Sequence, residues 1–315
     1  MRRTSPHLIA LTLACGATGF AQPPTGPTLV ERVRQLTRES AWTPLAAVPL
    51  AFPVHHPQGM VKVGDALFVS SVEIRVRTRR LPEPVGGYDR DTGEGVGHLF
   101  KLDMAGNLIA DLRLGEGTVY HPGGIDYDGT SIWVPVAEYR PNGRSIVYRV
   151  DPATMKATEM FRFEDHIGAV VYDTESRTLH GVSWGSRRFY GWGVSADGTI
   201  IASGRPADAL RGLNGSHYVD YQDCQYAGAG LMLCTGLAEL RQAPDAAPFR
   251  LGGMDLIDLH DGRSVHGVPL LLWAPGGRPM TQNPSWFEPT STGLRGYFIP
   301  DDDKSTLYSY EVNIN

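Results

Sequence analysis

One pattern constrains the fold more than any other: a short motif that recurs along the chain, each time followed by strands of the same kind. His56-Pro57-Gln58-Gly59-Met60 returns as His121-Pro122-Gly123-Gly124-Ile125. From these anchors GDALFVSSVE (64–73) aligns with GTSIWVPVAE (129–138). A third copy opens at His166-Ile167-Gly168-Ala169-Val170 and runs through RTLHGVSWG (177–185). A weaker fourth has Asp223-Cys224-Gln225-Tyr226 and then GLMLCTGL (230–237). The fifth begins near Gln282 and runs through LRGYFIPDD (294–302). Self-similarity at this spacing is the mark of a repeat architecture.

Each copy continues into a third strand, and all but the last into a fourth. The third strands are GHLFKLD, SIVYRVD, RFYGWGVS, GGMDLIDL and TLYSYEVNI. The fourth are NLIADLRL, KATEMFRF, TIIASGR and SVHGVPLLLW. Turns such as Ala105-Gly106-Asn107 and Asp261-Gly262 separate them. Four-stranded units in a ring are the blades of a β-propeller. The fifth copy ends with the chain, so TPLAAVPLAF (43–52), which precedes the first copy, is expected to supply its outer strand. Without that strand the ring would expose a sheet edge. The expectation is an all-β, five-bladed propeller over residues 42–315, with six blades as the runner-up count. The 37 Gly and 23 Pro suit such a turn-rich chain. Ahead of the ring, Leu29, Val30, Val33 and Leu36 have helical spacing, so residues 22–41 read as a short helix and linker.

The N-terminus reads as an export signal. Arg2 and Arg3 precede a short apolar stretch from Leu8 to Ala14, and Gly19-Phe20-Ala21 ends in small residues suited to cleavage. Residues 1–21 are thus expected to be removed and the mature chain to be periplasmic or secreted. Thr12-Leu13-Ala14-Cys15 is an imperfect lipid-attachment motif, so a lipid anchor at Cys15 is the alternative. No later stretch approaches the ~20 apolar residues of a membrane-spanning helix. Cys224 and Cys234 would remain in the mature chain, and an even pair in an exported protein points to a disulfide. A hairpin turning near Ala229 would set them opposite each other. The net charge of −5 argues against a nucleic-acid partner.

In a propeller the starts of inner strands and the ends of second strands share one mouth. That places His56, His121 and His166 around the axis, with His217 or Asp220 from the fourth copy and Gln282 from the fifth. Second strands end at Glu73, Glu138, Gly185 or Trp184, Leu237 or Glu239, and Asp302 or Asp303, with Tyr139-Arg140 at an equivalent exit. Three neutral imidazoles with an open position suit Zn²⁺, and a fourth ligand admits Fe²⁺ or Mn²⁺. A carboxylate normally receives the other N–H of a metal-bound His, a role open to Glu73, Glu138 and Glu239. Tyr139, Arg140, Trp184 and Gln282 would contact a small organic substrate. The expected activity is metal-dependent hydrolysis or lyase chemistry. The competing reading is a non-catalytic binding protein that uses the same mouth for a ligand or partner. Alternatively, the repeated His residues serve the inter-blade turns alone. Residues 74–96, rich in Arg and then in acids, form a long loop at this mouth, either a lid or a charged surface.

The segment His121 to Pro152 resembles a family of uncharacterised exported propeller proteins of bacteria and fungi, a likeness that spans most of the mature chain. More distantly, Gln58-Gly59-Met60 with Leu67-Phe68-Val69-Ser70-Ser71 is similar to the first blade of the five-bladed glutaminyl cyclases. The cyclases' catalytic Glu falls on Val69 here, so the resemblance implies five blades and not the cyclase activity. The six-bladed lactonases place Glu, Asn and Asp around a central Ca²⁺, and the His set departs from that pattern.

Overall fold

The computed structural model describes residues 28–201 and 207–314. Both the expected signal segment and Cys15 lie outside these residues. Five antiparallel sheets of four strands follow one another around an axis. From the inside outward, the first blade has His56–Val63, Ala66–Val76, Glu94–Asp103 and Leu108–Leu114. In the second, an inner strand broken into Val119–Pro122 and Asp126–Tyr127 is followed by Ile132–Glu138, Ser145–Val150 and Ala157–Phe163. Ile167–Asp173, Thr178–Ser183, Arg188–Gly193 and the two-residue Gly212–Leu213 form the third. The fourth is Asp220–Gly228, Leu231–Leu240, Phe249–Asp258 and Ser264–Leu270.

Ser285–Pro289, Gly293–Phe298 and Thr306–Asn313 begin the fifth blade, and Trp42–Pro49 completes it from the other end of the chain. Trp42 pairs with Val312 and Pro49 with Thr306, so the ring closes as the repeat count requires. One expected strand differs. In the third blade the described part of TIIASGR, residues 199–201, gives a single bridge, Val194 to Ile200, and Gly212–Leu213 takes the outer place beside Arg188 and Phe189. The N-terminal helix is also shorter than its apolar spacing indicates, Leu29–Arg34. Thr28 caps it, with Glu31 returning the bond to the Thr28 backbone. No helix among the described residues is long and apolar enough to cross a membrane.

Apolar side chains on facing sheets pack into five clusters, one per blade interface. Val61, Phe68 and Leu99 meet Ile132, Val134 and Ile146 between blades one and two. Trp133 and Val147 meet Ile167, Leu179 and Trp192 between two and three. Val171 and Val182 meet Met232 and Ile257 between three and four. Between four and five, Leu233 and Met254 meet Phe287 and Phe298, and the helix adds Leu29 and Val33 to this cluster. Between five and one, Tyr297 and Leu307 meet Met60, Leu67 and Phe100. The alternation along each strand thus has both faces buried, as sheet-on-sheet packing demands.

At the axis the inner strands approach backbone to backbone. A Cβ on Gly59 would lie 2.6 Å from the Ile125 nitrogen, and one on Gly123 only 2.1 Å from the Gly168 oxygen. This is why the repeated motif carries glycine after His-Pro: a ring of five leaves no room for side chains there. Below this level two buried carboxylates tie the blades together. Asp223 accepts the Met60 N–H at 2.8 Å and the Cys224 N–H at 3.0 Å. Asp126 accepts the Tyr172 N–H at 2.9 Å and that of Tyr226 at 3.3 Å. Cys224 and Cys234 sit directly opposite in the fourth blade and form a disulfide, with Cα atoms 4.1 Å apart.

Candidate functional site

The repeats do bring the three histidines together. His56, His121 and His166 line one cavity of about 250 Å³ at the mouth, with Gln58, Tyr139 and Trp184. The His56 and His121 ring centroids are 6.1 Å apart, and those of His121 and His166 5.9 Å. His121 stacks on Tyr139 at 4.1 Å, and His166 meets the edge of Trp184 at 4.8 Å. Register explains this convergence. His121 pairs with Ala137, so Glu138, which ends the second strand, and Tyr139, which follows it, stand beside the histidine.

The three rings are held differently. His56 donates Nδ1–H to Asp302 at 2.8 Å, and its Nε2 receives the Gln58 amide at 3.0 Å. His166 donates Nδ1–H to the main-chain oxygen of Glu138 at 2.7 Å. These partners set the tautomer and turn Nε2 of both rings away from the blades. His121 is buried, and neither of its ring nitrogens has a hydrogen-bond partner. Buried polar atoms are rarely left this way unless something further completes them.

Burial sets the protonation. Desolvation holds His166 down at about 4, opposed by its bond to the Glu138 carbonyl and by Asp165. His121 lies well below its ordinary value because it is desolvated and faces His166 and His56. Both are neutral at pH 7, so their lone pairs are available. Burial alone would raise Asp302, but the His56 bond and charge and Arg278 outweigh it and hold the carboxyl at about 2. Asp302 is therefore a carboxylate throughout the working range and keeps a proton on His56 Nδ1.

The carboxylates expected behind the rings are placed otherwise. Asp302, from the fifth blade, takes the role foreseen for Glu73. Glu73 bonds Arg75 at 3.1 Å and lines a second depression with His55, Arg77, Asp302 and Asp303. That depression shares His56 and Tyr139 with the first. The Glu138 carboxylate is buried and clamped by Arg140 at 2.7 Å and Arg144 at 2.8 Å, so only its main-chain oxygen serves the site. His217 and Asp220 both bond Arg187, at 2.8 and 2.7 Å, and Asp220 alone of the two lines the cavity. Gln282 lies on a short turn outside it.

Asp302 lies four residues past the fifth blade's second strand, at the end of the LRGYFIPDD run that the sequence brings to this mouth. Gln58 had no legible signal, because nothing in a repeat distinguishes a spacer residue that folds back onto its own histidine. Val69, where the cyclase Glu would fall, is wholly buried among Met60, Leu67 and Phe100.

The long loop at this mouth folds into a small hairpin, Arg80–Val85 with Tyr88–Arg90. It reaches across to two other blades. The Arg140 guanidinium lies 3.4 Å over the Tyr88 ring, and Arg90 lies 5.1 Å over Trp184 while paired with Asp89. The hairpin thus packs against Trp184 and Arg140 beside the site, and its own residues do not line the cavity.

A family of unknown function (DUF6454) matches residues 10–315. The chain belongs to this family. No curated protein matches the sequence. Similar solved structures include hydrazine synthase of Kuenenia stuttgartiensis, 11% identical over 80% of this chain at a TM-score of 0.37. The chain spans 58% of that protein's length. The periplasmic gluconolactonase of Pseudomonas aeruginosa is 13% identical, covering 82% of this chain and 86% of its own at 0.38. The calcium-binding regucalcin of Agrobacterium tumefaciens is 14% identical, covering 86% and 98% at 0.43. Likenesses this low carry no argument about activity. The likeness to glutaminyl cyclases is not shown by these matches.

Proposed function

We propose that this DUF6454 protein is an exported propeller whose mouth binds a small organic molecule at a divalent metal held by His56, His121 and His166, and acts as a hydrolase or lyase. The observation that carries the reading is His121, buried with two unpartnered nitrogens between the rings of His56 and His166. The donor chemistry fits Zn²⁺, Fe²⁺ or Mn²⁺, and the N–H bonds to Asp302 and to the Glu138 carbonyl are those that metal-bound imidazoles make.

The separations are wider than a closed site needs. Metal–nitrogen bonds of about 2.0–2.1 Å put ring centroids roughly 5 Å apart on a tetrahedral ion. Among the described residues no three His, Cys, Asp or Glu side chains already close on one point. Ligation would therefore draw the rings inward by up to about 1 Å and displace the Gln58 amide from His56. An ion there would polarise a substrate oxygen or activate a water. The chain's own part is to hold His121 and His166 neutral, to fix His56 through its Asp302 bond, and to hold His121 against Tyr139. Export is supported by the Cys224–Cys234 disulfide, a bond that persists in oxidising compartments.

The second reading, a binding protein without a metal, is favoured by the Gln58 contact, which already occupies His56 Nε2. Elemental analysis of protein purified without chelator or metal-affinity tag separates the two. About one ion per chain, lost in a His121→Ala variant that keeps its far-UV spectrum, supports the metal reading. No ion retained after dialysis against Zn²⁺, Fe²⁺ and Mn²⁺ overturns it.

A further inference from the structure

We infer that the ligand of this mouth is an uncharged, hydroxyl-rich molecule of monosaccharide size; the inference rests on the central cavity being the functional site, and not on the metal. Three features of the lining lead to it.

The first is charge. Asp220 is the one carboxylate among the cavity's lining residues, and Arg187 already pairs with it at 2.7 Å. No Lys or Arg is among the lining residues. An anion would find no unpaired cation in this cavity, and a cation no unpaired carboxylate. Either would lose its hydration without return.

The second is the set of free hydrogen-bonding valences. An imidazole has two ring nitrogens that hydrogen-bond, and at His121 both are unused. The Ser183 oxygen accepts the Arg188 N–H at 3.0 Å, which leaves its O–H to donate. Among the described residues the Tyr139 hydroxyl and the Gln222 amide have no hydrogen-bond partner, although both residues line the cavity. Donors and acceptors therefore alternate over a small surface. A hydroxyl group is donor and acceptor at once, so several hydroxyls on one ring match such a lining better than a carbonyl or an amine does.

The third is shape. The cavity, at about 250 Å³, lies just under the usual range for drug-sized ligands. The rings of Tyr139 and Trp184 stand 5.6 Å apart at its wall and offer apolar surface to the C–H faces of a sugar-like ring.

The test is equilibrium binding to the chelator-dialysed mature protein, read by calorimetry and by tryptophan fluorescence. The probes are close in size and differ in charge: glucose, galactose, arabinose and inositol; gluconate and glucuronate; glucosamine and lysine. At least one neutral probe should bind at least tenfold more tightly than every charged one. Tyr139→Phe, which removes a single oxygen, should weaken that neutral probe several-fold, and His121→Ala at least tenfold. Tighter binding of any anion or cation overturns the inference, as does the failure of all four neutral probes. Because the protein is metal-stripped, a negative result for metal in the elemental analysis leaves this outcome independent.

Discussion

Acidification should weaken the fold through His166, and by an amount the structure sets. The folded ring titrates at about 4, against an ordinary value of 6.5. Between those values the unfolded chain binds a proton that the folded chain refuses. The stability His166 contributes is thus fully present above pH 6.5 and is lost as the pH falls towards 4. At about 1.4 kcal/mol per pH unit, the full loss is roughly 3 kcal/mol, of which about 2 kcal/mol should be gone by pH 4.5.

The whole protein will not show this alone. His121 acts in the same direction. Asp126 acts in the opposite one: burial raises its carboxyl to about 7 against its backbone hydrogen bonds. Its contribution is present below its ordinary value near 3.8 and lost as the pH rises through 7. A difference measurement isolates His166. Urea unfolding of the native chain and a His166→Gln variant, followed by fluorescence from pH 7.5 to 4.5 at fixed salt, gives the stability gap at each pH. That gap should shrink by about 2 kcal/mol on acidification. A gap independent of pH, or one that widens, would refute the assignment of a buried, neutral His166.

Two further outcomes probe the ring itself. Gly123→Ala sets a Cβ 2.1 Å from the Gly168 oxygen, where no flexible side chain can yield, so blades two and three must separate. We expect a loss of about 3 kcal/mol or failure to fold, and an unchanged Tm in differential scanning calorimetry would show the axis to be looser than described. Replacing Cys224 and Cys234 together by Ala should cost about 2–4 kcal/mol in urea unfolding without altering ligand affinity, since the bond closes a short hairpin away from the mouth. A matching loss in binding would mean that the fourth blade's inner strand positions the site.

Much of the fold was legible because a propeller repeats its local physics. The same strand-turn-strand pattern returns with each blade, and glycine returns wherever inner strands meet at the axis, as at Gly59 and Gly123. The irregular third blade was the exception. TIIASGR has strand-like residues, yet a different segment, Gly212–Leu213, pairs beside Arg188, because outer-strand choice depends on where the chain returns and not on propensity. The position of the histidines followed from register alone, since antiparallel pairing carries strand starts and strand ends to one mouth. Their partners did not follow.

The sequence by itself determined the repeat, the number of blades, the closing role of residues 42–49, the disulfide pair and the meeting of three histidines. These are consequences of period and order, which a linear chain records. Tertiary structure alone decided that Asp302 and the Glu138 carbonyl orient two of the rings, that two arginines take the Glu138 carboxylate away from the site, and that His121 is left with both nitrogens free. Such choices depend on burial and on side chains from different blades competing for one partner. Asp302 reaches His56 across 246 positions of sequence, and no local pattern encodes the outcome of that competition.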